Sequence, residues 1–511
     1  MFMTSGSRAF VPFLLFLTLA VSAVSAHAQN FSVLHDFAST PDGQLPVAAV
    51  LDRNGTLFGT TQESGSFNVE GASGTVFTVD INSGQETVLY TFGGAFHGPD
   101  GALPSSSLVT DAKGNLYSTT LGGGSNDAVC GEGGCGIIFE MSPNGTETIL
   151  YTFTGGADGT GPNGIIFDRA GNLYGTALGG AYQNCNGGGC GVVFKLAPSG
   201  KLTVLYSFTG GSDGADPAAG SLTIDKAGNL YGATAYGGNL SACVAGSIPG
   251  CGVLFKIDPN GNETVLHTFT GGADGAQPNG SLLRDAKGNL YGTTFSGGPR
   301  TCRGLYGGFP GCGVVFELTA SGTLKVLHGF RGVANGDGAS PDAGLLWDGV
   351  ANFFGTTYRG GTYNDGSVFQ LNAGGITLLH SFNQKVDGWL PEAGVIRDAQ
   401  GNLYGTTAGN NYNCPFGYLQ GYCGTVFKVV APPQITRFTP ASGSVGTTVS
   451  ISGVSLSQIT EVTFNGVVSS FSVNSDKLVT ATVPTGATTG KIAVTSPGGT
   501  ATSSTSFTVT Q

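Results

Sequence analysis

Charge is scarce in this chain. Only 10% of its 511 residues are Asp, Glu, Lys or Arg, and the net charge is −11 with no run of Lys or Arg. That excludes nucleic acid or anionic lipid as partners held by electrostatics. Histidine is rare too, with six residues in all, so a His-based metal centre or a Ser-His-Asp triad has little material. After the first 30 residues no stretch of about 18 apolar residues occurs, so no later segment reads as a membrane-spanning helix. Glycine, by contrast, is abundant at 89 residues and lacks a collagen period; mixed with Val, Leu, Phe and Thr, it reads as many short strands joined by tight turns.

The first residues read as an export signal. Arg8 gives a positive start, Phe10 to Val24 an apolar run, and Ala26-His27-Ala28 a small-x-small cleavage site. Residues 1–28 are therefore expected to be removed, giving a secreted protein in the extracellular space, the periplasm or at the cell surface.

One phrase returns seven times: Asn54-Gly-Thr-Leu-Phe-Gly-Thr-Thr61, Gly114-Asn-Leu-Tyr-Ser-Thr-Thr120, Gly171-Asn-Leu-Tyr-Gly-Thr-Ala177, Gly228-Asn-Leu-Tyr-Gly-Ala-Thr234, Gly288-Asn-Leu-Tyr-Gly-Thr-Thr294, Ala351-Asn-Phe-Phe-Gly-Thr-Thr357 and Gly401-Asn-Leu-Tyr-Gly-Thr-Thr407. Each repeat holds three further strand-like phrases. One follows a proline, one has the form Gly-Val-Val-Phe, as at Gly191 to Phe194, and one the form Val-Leu-x-x-Phe, as at Val265 to Phe269. Four short strands per repeat, seven times, predict an all-β, seven-bladed β-propeller over residues 29–430. The chain ends support closure. Phe31 to Phe37 is a fourth-strand phrase with nothing before it, and Gly424 to Val429 is a third-strand phrase with no fourth after it. Pairing the two removes both exposed sheet edges. Phe139, Phe194, Phe255, Phe316 and Phe427 recur at one strand position and are expected to face between blades.

Most candidate chemistry dissolves into this repetition. Asp42, Asp100, Asp158, Asp213, Asp274, Asp337 and Asp387 each begin Asp-Gly-x-x-Pro. A ring of ligand carboxylates is the functional reading; a blade-linking turn, with Asp bonding local backbone, is the plainer one and is preferred. The Asp before each second strand is read the same way. His35, His267, His328 and His380 share one slot with Tyr90, Tyr151 and Tyr206, which reads as an aromatic packing position.

Ten cysteines form five close pairs: Cys130/Cys135, Cys185/Cys190, Cys243/Cys251, Cys302/Cys312 and Cys414/Cys423. Each pair flanks the loop after the second strand. In an exported chain they read as local disulfides that stiffen these loops. Zinc would need four ligands together, and the blades hold the pairs apart. No cofactor or metal is expected, and calcium is left open.

The same loops escape the repeat. They carry Tyr182, Tyr236, Arg300, Arg303, Tyr306, Phe309, Tyr358, Arg359, Tyr363, Tyr412, Phe416, Tyr418 and Tyr422. Aromatic and Arg side chains on stiffened loops are common binding anchors, and aromatic faces suit sugar rings. The alternative is that they pack on their own disulfides. A second set comes directly after each linker proline and should sit at the channel mouth: Val47, Ser105, Asn163, Ala218, Asn279, Asp342 and Glu392. Asp342 and Glu392, on adjacent blades, suit a cation or a paired-carboxylate role; solvated side chains are the plainer reading.

After the linker 431–434, residues 435–511 alternate in hydrophobicity, lack cysteine and read as a β-sandwich. Ile435 to Gly453, Val462 to Gly466 and Ser496-Pro-Gly-Gly499 resemble the IPT/TIG immunoglobulin-like family, with Leu456 where that family has an aromatic. The resemblance implies an extracellular spacer or adhesion module. The repeats, on their Gly-Asn-Leu-Tyr-Gly-Thr-Thr, Gly-Val-Val-Phe and Val-Leu-x-x-Phe phrases, resemble the GloVer tandem-repeat family of secreted bacterial proteins. That resemblance brings no established activity and no catalytic residues. The expectation is a monomeric, non-catalytic binding protein for an extracellular glycan or surface partner. A propeller enzyme acting on polysaccharide, and a purely structural surface protein, remain the alternatives.

Overall fold

The computed structural model describes residues 30–511, except 39–40, 52–54, 64–72, 94–97, 125–129, 181–184, 186–188, 218–219, 221, 245–247, 300–301, 303–308 and 411–422. The signal segment, His97 and Asp52 lie outside the described residues. So do Ala218, Cys414 and the loop residues Tyr182, Arg300, Arg303, Tyr306, Tyr412, Phe416, Tyr418 and Tyr422.

The described chain is all-β: strands joined by turns, two short 3-10 turns and no α-helix. No described helix is long and apolar enough to cross a membrane. Seven antiparallel sheets succeed one another, over 44–91, 102–152, 162–207, 215–268, 283–329, 346–381 and 396–430, called here the first to seventh. The seventh takes its outer strand from the start of the chain: Phe31–Asp36 pairs antiparallel with Thr425–Val430, Phe31 opposite Val429 and Asp36 opposite Thr425.

The sheets join through phenylalanine. The third-strand residues Phe77, Phe139, Phe194, Phe255, Phe316, Phe369 and Phe427 are all fully buried. Each meets, edge to face, the fourth-strand Phe of the sheet before it: Phe92–Phe139, Phe153–Phe194, Phe208–Phe255, Phe269–Phe316, Phe330–Phe369 and Phe382–Phe427. The seventh pair, Phe37–Phe77, joins the N-terminal strand to the first sheet. This ring also explains the central Gly of the recurring phrase. A Cβ on Gly232 would lie 2.5 Å from Phe255 Cζ, and one on Gly405 2.5 Å from Phe427 Cζ, so in these sheets the Gly leaves the space that the next strand's ring fills; the second sheet fits Ser118 at the same position opposite Phe139.

The fourth strand carries a feature that period-two reading misses. Its pairing slips by one residue at the same place in all seven sheets; in the third sheet Phe194 faces Val204 while Val193 faces Tyr206, and Leu205 is bulged out. A bulge re-aims the side chains beyond it. Val204 and Tyr206 therefore point to opposite faces, and Tyr206 reaches Asp213 at 3.1 Å.

Residues 434–509 form two further sheets around one core that includes Val449, Ile451, Val462, Phe464, Ile492 and Phe507. This unit sits on the turn between the first two strands of the seventh sheet. Arg397 Nη2 donates to Asp476 Oδ2 at 2.8 Å and Gln458 Nε2 to Asn402 Oδ1 at 2.6 Å.

Candidate functional site

Both families of repeated aspartates are structural. The linker carboxylates accept from the chain just before them and from the Tyr or His of the fourth strand. Tyr90, Tyr151 and Tyr206 donate to Asp100, Asp158 and Asp213. His35, His267, His328 and His380 stand 2.8–3.3 Å from Asp42, Asp274, Asp337 and Asp387. The shared aromatic slot is thus more than packing, because every occupant carries an N–H or O–H to the same carboxylate. The second family closes turns: Asp285 accepts from the backbone of Lys287 and Asn289, from Asn289 Nδ2 and from Tyr291.

The remaining candidates converge on one place. A cavity of about 390 Å³ is lined by residues of all seven repeats, among them Val47, Ser105, Asn163, Asp216, Asn279, Asp342 and Glu392. Six of the seven residues directly after a linker proline are in this lining, and the seventh, Ala218, lies outside the described residues. A second volume of about 410 Å³ shares Asp216, Ala235, Asn279, Asp342 and Glu392 with the first and adds Tyr236, Gln277, Phe295 and Tyr358. These aromatics lie at or just beyond the ends of second strands, Leu230–Tyr236, Leu290–Thr294 and Phe353–Thr357. They mark the end of the cavity away from the C-terminal unit, which packs where the Asn402–Thr407 second strand begins.

Of the loop residues singled out from sequence, Tyr236 and Tyr358 line this space. Arg359 stands behind it, its guanidinium 5.4 Å from the Tyr358 ring and 5.8 Å from that of Trp389. Tyr363 is exposed and is not among the lining residues. Phe309 is a correction: it is 6% exposed and packs in a core with Cys251, Ala276 and Phe316, on the disulfide of the neighbouring sheet. It has no free ring face for a ligand. Four bridges are local, Cys130–Cys135, Cys185–Cys190, Cys243–Cys251 and Cys302–Cys312. Cys423 is disulfide-bonded as well, and Cys414 lies outside the described residues.

The carboxylates of the cavity are not freely solvated. Burial pushes Asp216 up to about 6. Burial, and then the neighbouring Asp342, push Glu392 up to about 7. Asp342 is raised by burial, against a hydrogen bond from Asn279 Nδ2 at 2.7 Å. Glu392 is nonetheless exposed by area. The two facts agree if its side chain meets water inside the cavity while protein mass surrounds that water. On the second and third sheets, Asn163 is 4% exposed and its Nδ2 has no partner, nor has Ser105 Oγ. No described group of three or more His, Cys, Asp or Glu is placed to hold a metal ion.

Asp216, Gln277 and Phe295 were not legible as site residues. Asp216 and Gln277 precede the linker prolines with φ of 55° and 57°, and Leu45, Leu103, Ser340 and Leu390 adopt the same left-handed backbone at the same position. Non-glycine residues rarely do so. The only available signal was that this position varies between repeats beside an unvarying proline.

An all-β array of antiparallel repeats around a shared polar and aromatic cavity defines the class. Models of the Gloeobacter/Verrucomicrobia repeat match residues 20–186, 95–306 and 246–478, and the chain belongs to that repeat family. No curated protein matches the sequence. Among solved structures it is similar to a fungal alcohol oxidase in complex with copper, at 12% identity and a TM-score of 0.47 over 93% of this chain and 98% of that one. It is also similar to a gluconolactonase from Xanthomonas campestris, at 14% identity and 0.35 over 68% and 89%. At these scores neither similarity bears on function.

Proposed function

We propose that this is a secreted, non-catalytic carbohydrate-binding protein whose ligand enters the central cavity from the end carrying Tyr236, Phe295 and Tyr358. In this reading the seven sheets are blades of a propeller closed by Phe31–Asp36, and the C-terminal unit is an Ig-like domain of IPT/TIG type that spaces the propeller from a surface. Support for the ring is the set of seven Phe–Phe junctions, including Phe37–Phe77, and a cavity to which every repeat contributes. Residues 1–28 and the disulfides support export.

The observation that carries the ligand class is the meeting of three aromatic rings with three carboxylates and the amides of Gln277 and Asn279 in one cavity. A sugar ring offers an apolar C–H face and a polar hydroxyl edge. Aromatic side chains cover the first, and fixed carboxylates and amides satisfy the second. A glycan array with the full chain should give hits that Tyr358→Ala weakens about thirtyfold, the cost of losing an anchor worth ~2 kcal/mol. Lys287→Ala, in a turn at the start of a second strand, should leave them unchanged. Equal affinity for the two variants places the site elsewhere.

A second reading, hydrolysis of polysaccharide, draws on Asp342 and Glu392, two neighbouring carboxyls with one raised to about 7, as a general acid requires. Incubation of any bound glycan and then product analysis separates it from binding alone.

A further inference from the structure

We infer that the central cavity selects a sugar bearing a protonated amine, an amino-sugar unit of an extracellular polysaccharide, with Asp342 and Glu392 receiving the ammonium group. This deepens the carbohydrate reading above and rests on it.

Charge balance is the first ground. Asp216, Asp342 and Glu392 line the cavity, and among the described residues no Lys, Arg or His lines it with them. The guanidinium of Arg359, next to the lining residue Tyr358, lies over the Tyr358 and Trp389 rings. Enclosed carboxyls without a counter-charge hold their protons instead of ionising freely. A ligand cation would supply what the lining withholds. Asp342 is held for such a role: its Oδ1 accepts from Asn279 Nδ2, while no described protein group donates to Oδ2.

The second ground is independent of the acids. Gln62, Ser107 and Asn279 line the cavity, are not buried, and give its wall neutral amide and hydroxyl groups. Such groups exchange hydrogen bonds with sugar hydroxyls, which a metal ion or a simple amine does not have. A sugar carrying an amine has both halves: hydroxyls for this wall, an ammonium for Asp342 and Glu392.

The shape of the site favours an organic cation over a bare metal. Calcium wants six to eight oxygens around one point. Here no three described His, Cys, Asp or Glu side chains are placed around one point. The remaining wall is Tyr236, Phe295 and Tyr358, whose faces attract ammonium groups and cover pyranose C–H faces.

The test is calorimetric titration of the full chain at pH 6.5 with a glucosamine tetramer, its fully N-acetylated counterpart and a cello-tetraose. The amine form should bind at least tenfold more tightly than the other two. Glu392→Gln and Asp342→Asn should each remove that preference, bringing the amine form down to the affinity of the neutral sugars. Wild-type affinity for the amine form should also pass through a maximum between pH 5 and 8, rising as the carboxyls ionise and falling as the sugar amines lose their protons, a readout that needs no variant. Equal binding of all three sugars, still dependent on Tyr358, overturns the amine preference and leaves the carbohydrate reading standing. Binding of calcium but no sugar, lost in Glu392→Gln, overturns both, as does binding of neither.

Discussion

His380 Nε2 stands 2.8 Å from Asp387 Oδ2, and the same imidazole stacks on the Phe31 ring with centroids 3.5 Å apart. One side chain therefore fixes the linker of the seventh repeat and holds the N-terminal strand against the sixth sheet. The contact requires the Nε2–H tautomer. Tyrosine makes the equivalent bond elsewhere, Tyr151 to Asp158 at 3.0 Å. His380→Tyr should accordingly be near neutral in stability. His380→Phe leaves a largely buried carboxylate one donor short and should cost about 1–3 kcal/mol in urea unfolding. Equal stability of the two variants would reduce the slot to packing.

Gly232 and Phe255 form a lock-and-space pair. The ring of Phe255 occupies the volume that a Cβ on Gly232 would need. Gly232→Ala should destabilise by about 1–3 kcal/mol through overpacking, and Phe255→Ala by about 3–5 kcal/mol through the cavity it leaves. The double variant should be less damaged than the sum of the two, because the alanine methyl enters space the ring has vacated. Additive losses in denaturant unfolding would mean that the two residues do not compete for one volume.

Much of this architecture was legible because repetition averages out local ambiguity. The four phrases per repeat mark the strands, and the missing phrases at the two chain ends foretold the pairing of Phe31–Asp36 with Thr425–Val430. The recurring Phe was readable as a junction residue for the same reason. The fourth-strand bulge was not readable, since Val-Leu-Tyr looks like ordinary alternation and only the slipped register turns Tyr206 toward Asp213. At the site, the described residues after the prolines line the cavity, Asp342 and Glu392 among them. Residues before the prolines were missed because a left-handed backbone at a non-glycine position leaves no mark in composition. Phe309 misled because an aromatic in an irregular loop reads alike whether it faces a ligand or a disulfide.

Removing residues 31–37 should expose the Thr425–Val430 strand as a sheet edge and strip Phe77 of its edge-to-face partner Phe37. An unpaired central strand of this kind templates association with other chains. The truncated protein should aggregate, or at minimum lose several degrees in thermal unfolding. A monomer by light scattering with an unchanged melting temperature would show that the N-terminal strand is dispensable for the seventh sheet.

Stability should fall, not rise, as the pH moves from 5 to 8. Glu86, Glu147 and Glu263, on fourth strands, are each raised from the ordinary 4.5 to about 7, chiefly by burial. Tyr90 Oη stands 2.9 Å from Asp100 and 3.0 Å from Glu147, and its one O–H can serve only one of them, so ionising Glu147 adds a second charge to an occupied corner. A carboxyl with a raised value holds its proton more tightly folded than unfolded. Its contribution is complete below about 4.5 and is lost as the pH climbs through 7. Asp216 and Glu392 in the cavity act in the same direction. The lowered carboxyls Asp42 and Asp274, where burial is outweighed by the sum of the His35 or His267 contacts and the bonds from Ala38 or Thr270, lose their contribution only below 3.8 and do not interfere in this window. Calorimetric melting temperatures at pH 5, 6, 7 and 8 should therefore decline. Glu147→Gln, which cannot ionise, should flatten the decline, and a melting temperature that rises across this range would show that the three glutamates are solvated and ionised in the folded protein.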